Sequence, residues 1–445
     1  MQVLHARCAG LDVHKKMVVA CVRIAGEDGR VERQVRTFDT TTGKLLQLHD
    51  WLLSQSVTHV LMESTGVYWK PVWHVLESNF ELLLANAMHV KNVPGRKSDV
   101  NDATWLADLL AHGLIRPSFV PPTPIQELRD LMRTRKQLVR ERASHQQRID
   151  KVLQDANIKL DSVLSDTLGR SGRAILDAIV SGQSDPEQLV ELVSKRVKAT
   201  RQEMVEALRG YITPHHRFML KLHLSQIDTL SKAITQIEEE AGERLAPFRQ
   251  AAALLITIPG ISDTAATVIV SEIGIDMSRF PSAAHLISWA GLCPRSDESA
   301  GKRRSTRIRK GAPWLKTLLI QCAWSAVRTK GSYLRGKFLR LRARRGAKKA
   351  IVAIAASILT AVYFMLKRGT TYQDLGDAHF SVRSRAKAAS RLVRKLGELG
   401  YLVEIQAVSE GDEAGRHAAD REDEAGDKAA DKVDEVRLEA AGGRP

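Results

Sequence analysis

The segment Gly95–Ala103, GRKSDVNDA, sets Asp99 and Asp102 three positions apart behind Arg96 and Lys97. If the stretch opens a helix, both carboxylates lie on one face, about 5–6 Å apart at Cβ. At ~4 Å and an effective dielectric of ~20 such a pair repels by about 4 kcal/mol. Two readings stay open: Asp99 caps the helix, where an acid suits the positive end of the dipole, or the pair is held together by a divalent cation or an arginine. Two further acids fall where an open α/β sheet presents ligands, at strand ends. Asp12 follows the apolar start of a first strand, and Glu63 closes the run THVLME.

The elements that must position these acids follow from periodicity. CAGLDV and KMVVACVRI read as short apolar strands, and EDGR turns the chain into VERQVRTF, whose alternation predicts a third strand in an antiparallel hairpin series. A helix around Leu45–Leu53, the strand THVLME, a helix over about Val67–Glu77, the strand FELLLAN and a helix through ATWLADLLAHG complete a mixed sheet covered by helices. The first domain is expected over residues 1–125.

The chain has 445 residues, too many for one ordinary core, and carries a net charge of +16. From Glu410 onward the tail holds 12 acidic and 6 basic residues, which leaves +22 on residues 1–409. Such a body is suited to a polyanion, and the tail, poor in aromatics and rich in Ala, Gly, Asp and Glu, is expected to stay unfolded. Four cysteines form no CxxC pair, so neither a zinc site nor a disulfide framework is indicated. The N-terminus lacks the basic-then-apolar pattern of a secretion signal, and a reducing cytoplasm fits. Ala350–Leu366 is uncharged with basic flanks, but it falls just short of ~18 residues and is rich in Ala, Ser and Thr, so a buried helix is expected and no membrane partner.

Residues 126–248 read as a helical, coiled-coil region. Leu128, Leu131, Leu138, Ile149 and Val152 form a loose apolar stripe, and Ile227, Leu230, Ile234, Ile237 and Ala241 alternate steps of three and four. The two segments can pair with each other or across protomers. From residue 249 to 375 a mainly α domain is expected, with residues 376–445 a basic segment and then the acidic tail. LLITIPGISDTAATVIVSEIG has the pattern of a helix-hairpin-helix, in which Gly260 lets the turn approach a phosphate, with Ile261 and Thr264 nearest the backbone. A pure packing role is the competing reading.

The wording GLDVHK, MESTGVYW and GRKSDVNDA, three motifs in order, resembles the IS110 family of transposases. The resemblance implies an RNase H-like domain of the RuvC type, with a tetrad of Asp12, Glu63, Asp99 and Asp102 around Mg²⁺, two ions in all. Hard carboxylate oxygens suit that ion, and a metal pair ~3.5–4 Å apart can stabilise both oxygens of a phosphoryl displacement. His14 lies two residues past Asp12 and is either a phosphate contact or a solvated side chain, while Lys15, Arg96 and Lys97 are expected on the nucleic-acid backbone. AGLCP followed by ESAGK resembles the family's second domain, where a serine is the nucleophile; that position is Ser299 here, followed by Ala300 where the family usually has Gly, so Ser296 and Ser305 stay open. Lys302, Arg303, Arg304, Arg307, Arg309 and Lys310 would neutralise phosphates beside it, and a further basic cluster runs from Arg335 to Lys349. The resemblance further implies DNA as substrate, a structured guide RNA, a homo-oligomer (dimer or dimer of dimers) and a nucleoid-associated bacterial protein. Two rivals remain: a resolvase-type metal-dependent nuclease with water as nucleophile, and a non-catalytic nucleic-acid-binding protein.

Overall fold

A computed structural model describes residues 2–26, 28–63, 66–87, 90, 93, 101–194, 196–294, 297–299, 301–305, 307–308, 311–377, 379 and 392–399, with the backbone alone at 297–299, 303 and 304. The acidic tail, Arg96, Lys97, Asp99, Ser296, Arg309 and Lys310 lie outside the described residues.

Five strands form the first sheet: β1 (Arg7–Val13), β2 (Met17–Ala25), β3 (Val31–Asp39), β4 (His59–Glu63) and β5 (Glu81–Ala85), in the order β3-β2-β1-β4-β5. β1, β2 and β3 are antiparallel, whereas β4 and β5 run parallel to β1. The central strands are apolar on both faces because helices cover both. α1 (Thr42–Ser54) and α2 (Trp69–Leu76) close one face around Leu11, Leu48, Val60 and Leu76. α3 (Asp102–Ala111) closes the other, burying Leu106, Leu109 and Leu110 against Cys8 and Leu61.

The long α4 (Thr123–Asp155) then leads through four short helices, α5 (Leu160–Val163), α6 (Arg170–Val180), α7 (Pro186–Glu191) and α8 (Arg201–Leu208), to α9 (Pro214–Arg244). α4 and α9 pack on each other within the chain, antiparallel: Leu128 and Met132 meet Ala241 at one end, and Ile149 and Leu153 meet Leu220 and Leu224 at the other. Among the two pairings open to the coiled-coil stripes, the intramolecular one is formed. Arg135 with Glu238 and His216 with Asp155 add polar contacts along it.

A third core gathers α10 (Arg249–Ile256), α11 (Asp263–Ile273), α12 (Ala283–Ala290), α13 (Pro313–Ala326), α14 (Tyr333–Arg345) and α15 (Ala347–Arg368). α15 is long and apolar enough to cross a membrane, yet half of its apolar stretch is buried in this core, where Ile354, Ile358 and Leu359 are fully covered. Its Tyr363 hydroxyl donates to the Phe280 carbonyl at 3.1 Å.

Candidate functional site

Asp12 and Glu63 end neighbouring parallel strands. The register Gly10 beside Leu61 and Leu11 beside Met62 carries Asp12 level with Glu63. Side chains alternate along a strand, so both acids share the face of Cys8, Gly10 and Leu61, the face that α3 covers. α3 sits against the strand with no room to spare: a Cβ on Gly10 would lie 2.2 Å from the Ala103 carbonyl oxygen and 2.4 Å from the Ala107 nitrogen. The absent side chain thus brings the first turn of α3, with Asp102, over the end of β1.

The helix start differs from the expectation. Asn101 is extended and its side chain accepts from the Ala103 N–H at 2.9 Å, so Asn101 is the cap of the helix that Asp102 opens, and Asp99 lies outside the described residues. The cause is an amide oxygen one residue ahead of Asp102 that satisfies a free helix N–H. His14 is exposed and its Nε2 lies 3.1 Å from Asp12 Oδ2; Lys15 is exposed in the same turn, and Thr40 Oγ1, just past β3, donates to the Lys15 carbonyl. Among the described residues no three His, Cys, Asp or Glu side chains stand close enough together to hold a metal ion. In kind Asp12, Glu63 and Asp102 suit a hard divalent cation, being oxygen donors only, but their side chains do not close into a metal-holding group.

Between α12 and α13, past Leu292 of the third core, residues 293–294, 297–299, 301–305, 307–308 and 311–312 are described. The base of this segment is pinched where a Cβ on Gly311 would lie 2.5 Å from the Gly291 nitrogen, and a bridge joins Pro294 to Ile308. Within it β6 (Asp297–Ser299) and β7 (Lys302–Ser305) form a hairpin in which Ser299 pairs with Lys302. Gly301 supplies the positive φ (72°) of the two-residue turn. Ser299 therefore ends a strand at a tight turn. Lys302 and Arg307 are exposed, Arg303 and Arg304 continue β7, and the Arg307 N–H donates to Ser305 Oγ at 3.2 Å.

The PGI turn joins α10 to α11 as expected, but its glycine has a different reason. Gly260 (φ 86°) faces α13, where a Cβ would lie 2.5 Å from the Cys322 carbonyl oxygen, and Ile261 is buried in the core. Close helix packing thus accounts for the glycine at 260 and for the buried Ile261, while Thr264 is exposed.

Several residues went unnoticed in the sequence. Glu272 of α11 is 1% exposed and takes both nitrogens of Arg133 at 2.8 Å, while Arg129 donates to the Ser271 and Glu272 carbonyls. Burial pulls the Arg129 guanidinium down to about 10, against the opposing pull of Glu272. One turn away Asp130 pairs with Lys70 of α2 at 3.0 Å. α4 thus fastens the acid-bearing sheet and the serine-bearing core to one strut. Asp108 of α3 likewise binds Arg23 and Arg33 across the sheet face at 2.9 and 3.0 Å.

Two family models match. One, described as a transposase and named for a DEDD transposase of IS110, covers residues 9–158; the other, the transposase IS116/IS110/IS902 family, covers residues 252–338. The chain belongs to the IS110 family of transposases. The two matches take in the strands that carry Asp12 and Glu63, all of α3 and α4, and the Ser299 hairpin. Among similar members, the transposase for insertion sequence element IS1111A of Coxiella burnetii is 24% identical over 82% of this chain and 90% of its own. The pilin gene-inverting protein of Moraxella bovis is 24% identical over 82% of this chain and 96% of its own. An insertion element IS110 protein of Streptomyces coelicolor is 30% identical, over 27% of this chain and 30% of its own.

Proposed function

We propose that this IS110-family protein is a DNA recombinase of an insertion sequence that cleaves and rejoins strands through a serine–phosphate intermediate. The observation that carries the reading is the delivery of Asp12, Glu63 and the start of α3 to one end of one sheet face in a chain whose first 409 residues carry a net charge of +22. The mixed sheet supports an RNase H-like domain over 1–125, followed by the helical region 126–248 and the serine-bearing domain 249–375.

Asp12, Glu63, Asp99 and Asp102 would hold the divalent ions, with Mg²⁺ the natural choice for all-oxygen donors. Bound there, the ions would polarise the scissile phosphate and ease both entry and departure of oxygen. Ser299 Oγ attacks the phosphorus and gives up its proton, which passes by way of carboxylate or water to the departing oxygen; the P–O bond to one strand breaks, leaving that strand a free hydroxyl. A second strand's hydroxyl then attacks the phosphoserine and releases the serine, so one phosphodiester replaces another with no external energy source. Lys302, Arg303, Arg304 and Arg307, with Arg309 and Lys310, offset the phosphate charge. An isolated hydroxyl is a weak nucleophile, so Ser299 relies on the acids to activate it across space. The rejoining step is favoured over simple hydrolysis by the gene-inverting relative, since inversion requires that cut ends be resealed. A structured guide RNA and a dimer-based assembly are part of the same reading, carried by the family resemblance.

The test is trapping of a covalent adduct on labelled DNA in the presence of Mg²⁺. Wild type forms a protein–DNA adduct that Ser299→Ala loses. Clean hydrolysis by both proteins would establish the nuclease instead. Asp12→Ala is expected to abolish cleavage with DNA affinity retained, and cleavage that survives it would remove the metal reading.

A further inference from the structure

Along α4, Arg129, Arg133, Lys136 and Arg140 follow steps of four, three and four, which stacks four cations on one helix face. Glu272 accounts for the first two. Lys136 and Arg140 form no ion pair among the described residues; both turn instead to the Trp314 ring, at 5.5 Å from its centroid, with Arg133 at 5.7 Å. A ring face attracts a cation by only about 0.5–1 kcal/mol at exposed sites, enough to gather charges but not to neutralise them. The Lys136 ammonium is pulled below its ordinary value, first by burial and then by Arg140, against a smaller opposing pull from Glu272. Trp314 is the second residue of α13, just past the foot of the serine hairpin and its basic run.

We propose that Lys136 and Arg140, gathered on Trp314, form a seat for the phosphodiester backbone of a nucleic-acid strand, which makes α4 part of the substrate interface as well as a strut. The inference rests on the DNA-recombinase reading and extends it to a surface outside the acids and the hairpin. Two cations left over beside a ring are an unfilled anion site in charge, and their place at the foot of the hairpin selects the polyanion that the hairpin handles. Recognition is by backbone charge, so it carries no base sequence.

The experiment measures binding of the full chain to a random duplex and to a single strand between about 50 and about 200 mM salt. For Lys136→Gln/Arg140→Gln, the slope of log affinity against log salt becomes shallower by about 2, and the wild-type advantage narrows about tenfold across that range. Its melting temperature stays level or rises, since like charges have been removed. Trp314→Leu lowers duplex and single-strand affinity alike. An unchanged slope in the double variant, or a lower melting temperature with unaltered affinity, overturns the seat while leaving the proposed function in place. A loss in Trp314→Leu confined to single strands overturns it too, because the ring would then stack on bases. A wild-type chain with no salt-dependent DNA binding sinks both readings.

Discussion

Asp12 stands at the end of a strand in which Cys8, Ala9 and Leu11 are fully buried, with a helix seated against the neighbouring Gly10. Ser299, by contrast, closes a hairpin whose strands are three and four residues long and which leaves its core between Gly291 and Gly311. The acids are thus fixed by packing on both sides of a sheet, the serine by a turn and a pinched base. That difference suits the proposed roles: ion ligands need a constant geometry, whereas a nucleophile that attacks one strand and is released by another needs room. What the two regions share is α4, which meets the first through Asp130 and Lys70 and the second through Glu272.

The largest effect is expected where that shared strut is cut. Glu272→Ala leaves the buried Arg129 and the half-buried Arg133 without their carboxylate, a loss of about 3–5 kcal/mol by the usual cost of breaking a buried pair. Urea unfolding followed by amide exchange should show the loss in the helices of the third core, with the sheet strands keeping their protection. A loss under about 1 kcal/mol would mean that apolar packing, not the ion pair, holds α4 to α11.

A smaller effect attacks the rigid side. Gly10→Ala forces a methyl against the Ala103 carbonyl and should cost about 1–3 kcal/mol as overpacking. Because the strain lifts the first turn of α3, strand cleavage should fall further than DNA affinity. Gly43→Ala, where a Cβ meets nothing within 4 Å, is the control. Equal losses in cleavage and affinity would show that α3 does not need its close seat for catalysis.

Much of the first region was legible because its signals are local. Period-two alternation and turn residues locate β1 to β5 within a residue or two, and Asp12 and Glu63 stand out as acids at the ends of apolar runs. The start of α3 was harder, since Asn101 and Asp99 are both good caps and only the extended backbone at Asn101 decides between them. The rest depended on partners far along the chain. Arg133 meets Glu272 across 139 residues, and Gly260 is packed against α13, more than 50 residues on; nothing near either residue announces it. The hairpin of Ser299 was hidden by its own charge, because a short strand of Lys and Arg has no apolar alternation to reveal it.

The smallest effect bears on the strut itself, away from both regions. His223 of α9 is buried with its Nδ1 3.2 Å from Nδ1 of His145 on α4. Burial, then His145 and then Arg148, hold its imidazole below the ordinary value of 6.5. Through His223 the folded state therefore binds fewer protons than the unfolded chain in this range, so the stability this residue contributes is full above about 6.5 and drains away as pH falls toward the folded value. Melting curves at about pH 7.5 and about pH 5.5 should show wild type losing more than His223→Gln, which can still donate to His145 but does not titrate. The same comparison separates strut from site: DNA cleavage at about pH 7.5 should be equal in the two proteins, because neutral His223 and glutamine fill the same place between the helices. If the variant's melting temperature falls with pH as steeply as wild type's, the acid sensitivity belongs to carboxylates elsewhere and the two histidines are ordinary packing.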